Sequence, residues 1–158
     1  FIYIYILFFS LISFIVGWPK LFFGFRFGLR DLFFVWSSAA LTILMVGGLK
    51  NNWGRARPKD VLEFGGQQEY TKWFEVADNC FKNCSFVSGD VSVAVFVVSL
   101  YLITKNKLFL YACFFLSFLV GLMRLSVGAH FISDVLMSFL LITTFLFLWK
   151  KFCYEDFK

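Results

Sequence analysis

The chain has 158 residues, 60% of them hydrophobic and 16% charged, with 25 phenylalanines and a formal net charge of +5. Globular proteins average about half apolar and about a quarter charged residues, so this much apolar surface cannot be hidden in a water-soluble core of this size. Composition excludes an ordinary soluble domain and predicts an all-α integral membrane protein, with residues 1–158 forming one membrane-embedded domain.

Five apolar segments follow one another at roughly 1–17, 32–49, 91–104, 108–123 and 131–149. A membrane helix needs about 20 apolar residues, or as few as ~17. The second and fifth meet this directly. The third meets it only if it begins near Phe86 and takes in Ser88 to Asp90, which would then face protein or water rather than lipid. The third and fourth are separated only by Lys105, Asn106 and Lys107, so they form a tight helical hairpin. The stretch 21–30, LFFGFRFGLR, reads either as an interfacial helix or as an interfacial loop. The chain opens on Phe1 inside an apolar run, without the charged start or cleavage site of a signal peptide. One further helix upstream is expected, which would bring five transmembrane helices to six.

The cations set the topology. Lys20, Arg26 and Arg30 fall in the first gap, Lys105 and Lys107 in the third, and Lys150 and Lys151 beside the last segment. All lie on one side if every segment crosses, and that side is cytoplasmic. The stretch 50–90 and the turn 124–130 then lie outside. The outer loop from Lys59 to Lys82 holds three lysines against five acids and lacks a basic excess. With the cations so placed, and with no basic tail or aromatic-basic patch, the positive charge does not point to nucleic acid. Within the outer loop, Cys80 and Cys84 stand four residues apart, and a disulfide is open to them if the loop faces an oxidising compartment. One histidine is too few for a zinc site. Trp53, Phe64, Gly65, Gly66, Trp73 and Phe74 read either as the lining of an entrance or as an interfacial aromatic belt.

Three polar clusters reach the outer side, each at a helix end. KNNWGRARP holds Lys50, Arg55, Arg57 and Pro58; SFVSGD holds Ser85, Ser88, Gly89 and Asp90; RLSVGAHFISD holds Arg124, His130 and Asp134. Lys50, Arg57 and Arg124 can surround a phosphate, and guanidinium groups bind its oxygens in pairs. Ser88 and Gly89 open a helix, where free backbone N–H groups point at an anion. His130 and Asp134 share a helix face, and a carboxylate beside an imidazole leaves the other ring nitrogen free to attack. Taken singly, Lys50 and Arg124 read as snorkelling cations, His130 as structural, and Ser88 and Gly89 as packing positions. Their joint occurrence at one depth favours a phosphate cradle with a nucleophile in it, one that needs no metal and no cofactor.

These residues resemble the type 2 phosphatidic acid phosphatase superfamily, whose pattern is K-x6-R-P, then P-S-G-H, then R-x5-H-x3-D. Lys50 to Arg57-Pro58 and Arg124, His130, Asp134 match in spacing, and the likeness spans residues 32 to about 149. NWGRARP, FGG, NCSFVSGD and GLMRLSVGAHFISDV are similar in particular to the bacterial lipid A 4'-phosphatases. The resemblance implies a six-helix hydrolase in the bacterial inner membrane, its active site facing the periplasm. It implies that His130 attacks phosphorus, forming a phosphohistidine, and that Asp134 orients it. Lys50, Arg57, Arg124 and the Ser88–Gly89 region would bind the phosphoryl oxygens. A lipid phosphate is then the partner, with no nucleic acid and no obligatory protein partner.

The departure lies in the second motif. Val87 replaces the proline, and Asp90 stands where the superfamily has the histidine that protonates the leaving oxygen. A carboxylate is a poor acid at neutral pH unless burial holds its proton. A sugar alkoxide needs that proton, whereas a phosphate leaving group needs it less. The chemistry therefore leans to lipid diphosphates and the resemblance to lipid A, which is the preferred expectation. The alternatives are a phosphatase for undecaprenyl diphosphate or glycerolipid phosphates, and a non-catalytic lipid-binding or transport protein.

Overall fold

In the computed structural model the described residues are 28–155. The first apolar segment, any helix upstream of it and most of the 21–30 stretch lie outside them. Helix α1, Leu29–Trp53, starts where the Asp31 carboxylate accepts the Gly28 amide at 2.8 Å. Its 25 residues span about 37 Å. Phe34, Ser38, Thr42 and Val46 recur every fourth residue on its buried face, while Leu29, Phe33 and Leu44 point outward as lipid-facing residues would. It ends at Gly54, whose φ of 61° is left-handed. A Cβ at Gly54 would run into the backbone carbonyl of Ala77, so the stop requires glycine.

The third apolar segment folds as two short helices, α2 (Gly89–Val95) and α3 (Val98–Thr104). It begins three residues later than Phe86, because Ser88 caps it and accepts the Val91 amide at 3.5 Å. The helix tightens at Phe96 and Val97, where the Val97 amide bonds Ala94 rather than a residue four back. A run of β-branched valines, which lose side-chain freedom in a helix, surrounds the break. The expected hairpin follows: Lys105 is left-handed, and Asn106 caps α4 (Lys107–Ser126) by accepting the Leu108 amide at 2.9 Å. Helix α5, Ile132–Glu155, is the last element of the described residues.

Helices α1, α4 and α5 are long and apolar enough to cross a membrane, while α2–α3 is a shorter apolar pair. That short pair is the buried centre, packed on α1, α4 and α5. Val91, Val95 and Leu102 meet Phe34, Ile142 and Leu146 in the core. Among the described residues all regular structure is helical, apart from one isolated bridge between Val61 and Gln68.

The packing gives the bundle two chemically distinct ends. At one, Lys150 donates to the Leu102 carbonyl and the Tyr154 hydroxyl to Asp31. Lys105, Lys107, Lys150 and Lys151 gather at this end, as the charge pattern predicts. The other end carries the last turns of α1 and α4, the first turns of α2 and α5, and the segment 54–88. That segment makes two 3₁₀ turns, Pro58–Asp60 and Leu62–Phe64, and a disulfide joins Cys80 to Cys84. It is tied down by Ala77 N to Trp53 O at 3.0 Å and by Lys59 N to Gly128 O at 3.1 Å. Trp53 stacks on Phe86, while Phe64, Trp73 and Phe74 are exposed.

Candidate active site

His130 stands in the turn between α4 and α5 and is 3% exposed. Its Nδ1 lies 2.7 Å from the Ser85 carbonyl oxygen. A carbonyl can only accept, so Nδ1 carries the ring proton and Nε2 keeps its lone pair. That is the tautomer a nucleophilic imidazole needs. The backbone fixes it, not Asp134, whose Oδ2 is 3.9 Å away and out of hydrogen-bond reach. Asp134, expected to orient the ring, stands on its Nδ1 side without a hydrogen bond to it.

Asp134 is fully buried in the first turn of α5, where a lone carboxylate would be costly. Three hydrogen-bond donors surround it. Phe131 N at 2.9 Å and Ser85 Oγ at 2.5 Å bond Oδ2, and Arg55 Nη1 pairs with Oδ1 at 2.5 Å. His130 completes the surroundings as a neighbour without a bond. Ser85 therefore links the two site residues: its hydroxyl donates to Asp134 and its carbonyl accepts from His130.

The cations converge on the same end. Lys50 Nζ donates to the Cys84 carbonyl at 3.0 Å and to Asn83 Oδ1 at 3.3 Å. Arg57 clasps the Asn83 carbonyl with Nε at 3.2 Å and Nη2 at 2.8 Å. Lys50 lies within electrostatic reach of Arg57, Asp90, Asp134 and Arg124. Arg124, in the last turn of α4, pairs through Nε with Asp90 Oδ2 at 3.0 Å, and both side chains are partly exposed. All three sequence clusters are thus in contact at one end of the bundle.

Asp90 is placed against a guanidinium rather than in an apolar pocket. The carboxylate occupies one edge of Arg124, where a phosphoryl oxygen could sit instead. The Ser88 hydroxyl is buried as the helix cap, and its carbonyl is claimed by Ser92 and Ser138. What this segment can offer an anion is the first-turn amides of Gly89 and Asp90, which have no intrahelical acceptor. A Cβ added at Gly89 would stand 3.6 Å from Lys50 Cε, so bare backbone here adjoins the cations.

Sequence reading gave no role to Ser85, Arg55 or Asn83. Ser85 and Asn83 act largely through backbone carbonyls, which carry no residue-type signal. Arg55 had one usable signal: a buried carboxylate in an apolar helix requires a cation, and Arg55 lies in the cluster beside Arg57.

The profile of the PAP2 superfamily matches residues 31–157. A lipid A 4'-phosphatase of Francisella tularensis subsp. novicida (strain U112) is 36% identical over 114 residues, covering 67% of this chain and 50% of that protein. A lipid A 4'-phosphatase of Rhizobium leguminosarum is 40% identical over 96 residues, covering 58% of this chain and 41% of its own. One of Rhizobium etli is also 40% identical over 96 residues, with 37% of its length covered. The chain spans half or less of these relatives. No solved structure matches.

Proposed function

The chain belongs to the PAP2 superfamily, and from that premise we propose that it is a phosphoric monoester hydrolase acting on a membrane lipid phosphate, its substrate the 4' phosphate of lipid A. One observation carries the proposal: buried His130 has Nδ1 bound to a carbonyl, leaving Nε2 as a nucleophile at the end of the bundle where Lys50, Arg57 and Arg124 gather. In the proposed step the Nε2 lone pair forms a bond to phosphorus and the phosphorus–oxygen bond to the lipid breaks. The leaving oxygen takes a proton from Asp90 and departs as the lipid hydroxyl. Positive charge develops on the ring, and the Asp134 carboxylate 3.9 Å away stabilises it. Water then attacks phosphorus and gives up a proton to Asp90. The phosphorus–nitrogen bond breaks, inorganic phosphate leaves and His130 is restored.

Lys50, Arg57, Arg124 and the Gly89 and Asp90 amides hold the phosphoryl oxygens as charge develops on them. An arriving phosphoryl group competes with Asp90 for Arg124. Two features support a site facing the periplasm: the Cys80–Cys84 disulfide in the segment that covers it, and the lysines at the opposite end of the bundle. A second reading, hydrolysis of undecaprenyl diphosphate, draws on the Asp90–Arg124 pair, because a phosphate leaving group does without the proton.

The test is phosphate release by purified protein from lipid A, undecaprenyl diphosphate and phosphatidylglycerol phosphate side by side. Lipid A is expected to be preferred, and His130→Ala to lose at least about 10³-fold in kcat. Equal, slow release by wild type and His130→Ala would mean a non-catalytic lipid-binding protein. A clear preference for another substrate would overturn the lipid A assignment.

A further inference from the structure

Arg55 is the largest fully buried polar side chain among the described residues and lies outside the K-x6-R-P pattern that begins at Lys50. At 1% exposure it cannot meet a phosphate. Three of its five N–H donors are engaged: Nε with the Thr71 carbonyl at 3.0 Å, Nη1 with Ser133 Oγ at 2.9 Å and with Asp134 Oδ1 at 2.5 Å. Phe131 lies against the guanidinium at 4.1 Å from ring centroid to Cζ, and Tyr70 at 5.7 Å. Tyr70 and Phe131 also touch edge to face. The group is thus clamped between the outer loop, which supplies Tyr70 and Thr71, and the start of α5.

We propose that Arg55 is a positioning residue for the phosphotransfer step, fixing Asp134 and, through Ser85, the orientation of His130. The chain of contacts is continuous. Arg55 holds one oxygen of Asp134, the other accepts the Ser85 hydroxyl, and the carbonyl of Ser85 holds Nδ1 of His130. The Ser85 amide donates back to the Arg55 carbonyl at 2.9 Å, which ties the same two residues a second time. Asp134 makes no direct bond to the ring, so its influence on geometry runs through Ser85, and Arg55 sets where the carboxylate lies. Small misplacements of a reacting group cost about 10²-fold in rate. Because Thr71 and Tyr70 anchor Arg55, the loop covering the site and the nucleophile share one support.

The inference rests on the phosphatase reading, and the experiment separates the two. Full-length protein is assayed as wild type, His130→Ala, Arg55→Met, Arg55→Lys, Asp134→Asn and the Arg55→Met, Asp134→Asn double variant. Wild-type release no faster than that of His130→Ala sinks the phosphatase reading itself. With an active wild type, Arg55→Met is expected to lower kcat about 10²-fold with KM within about threefold. Arg55→Lys, which keeps the charge, recovers part of the loss. In the Asp134→Asn background, Arg55→Met adds less than about threefold, because residues acting as one unit do not add. Losses that multiply across the two sites would overturn the proposal, as would a raised KM with kcat intact. If Arg55→Met does not fold, the cycle is run with Arg55→Lys and Asp134→Asn, and multiplying losses there overturn it equally.

Discussion

Replacing Asp90 by asparagine separates two roles that one contact permits. Asp90 pairs with Arg124 at 3.0 Å, with side-chain exposures of 42% and 40%. A partly exposed pair of this kind contributes about 0.2–1 kcal/mol. Asp90→Asn should therefore leave the protein folded, with a thermal midpoint in detergent lower by no more than about 4 °C. A general acid contributes about 10²–10⁴-fold, or roughly 2.7–5.4 kcal/mol at 1.36 kcal/mol per decade. The kinetic loss thus exceeds the stability loss several-fold if Asp90 protonates the leaving oxygen. Steady-state kinetics on a sugar phosphate and on 4-nitrophenyl phosphate make the comparison. The expected outcome is a kcat loss of about 10² or more on the sugar phosphate and under about tenfold on the nitrophenyl ester, whose leaving group needs no proton. KM should fall or stay level, because Arg124 loses a competing anion. A sugar-phosphate kcat within about threefold of wild type would remove Asp90 from proton transfer. Equal losses on both substrates would assign it to holding Arg124.

Reducing the Cys80–Cys84 disulfide, or replacing both cysteines by serine, loosens the segment whose Asn83 and Cys84 carbonyls hold Arg57 and Lys50. KM should rise several-fold while kcat changes less, and an unchanged KM in the reduced protein would show that the cations are held without it. Gly54→Ala forces a side chain into left-handed backbone and against the Ala77 carbonyl. It should cost roughly 3 kcal/mol or more by thermal unfolding. Gly48→Ala, with no atom within 4 Å of the added Cβ, is the control expected to be neutral or slightly stabilising.

Much of this architecture is legible along the chain. The helices at 32–49 and 131–149 follow from apolar length, and the Lys105–Asn106 hairpin that leads into the one at 108–123 from the shortness of the gap. The third segment is less legible: its valine run and the Ser88 cap make it start late and break at Phe96. Length alone could not separate a short buried helix from a lipid-facing span with polar residues added.

The sequence by itself determined which groups meet. Helices that cross and return bring Lys50, Asp90, Arg124 and Asp134, each within a turn of a helix end, to one end of the bundle. Spacing along a helix is a one-dimensional property, and charge bias settles which ends lie together. Only the tertiary structure decided who partners whom. Asp134 takes Arg55 and Ser85 rather than His130, His130 takes a backbone carbonyl, and Arg124 takes Asp90. All but the last of those pairings depend on the path of residues 54–88, an irregular segment with no period to read. Its carbonyls at Thr71, Asn83, Cys84 and Ser85 accept from Arg55, Arg57, Lys50 and His130. Every residue but proline carries the same backbone donor and acceptor, so a sequence cannot say which carbonyl will face a charge until the chain has folded.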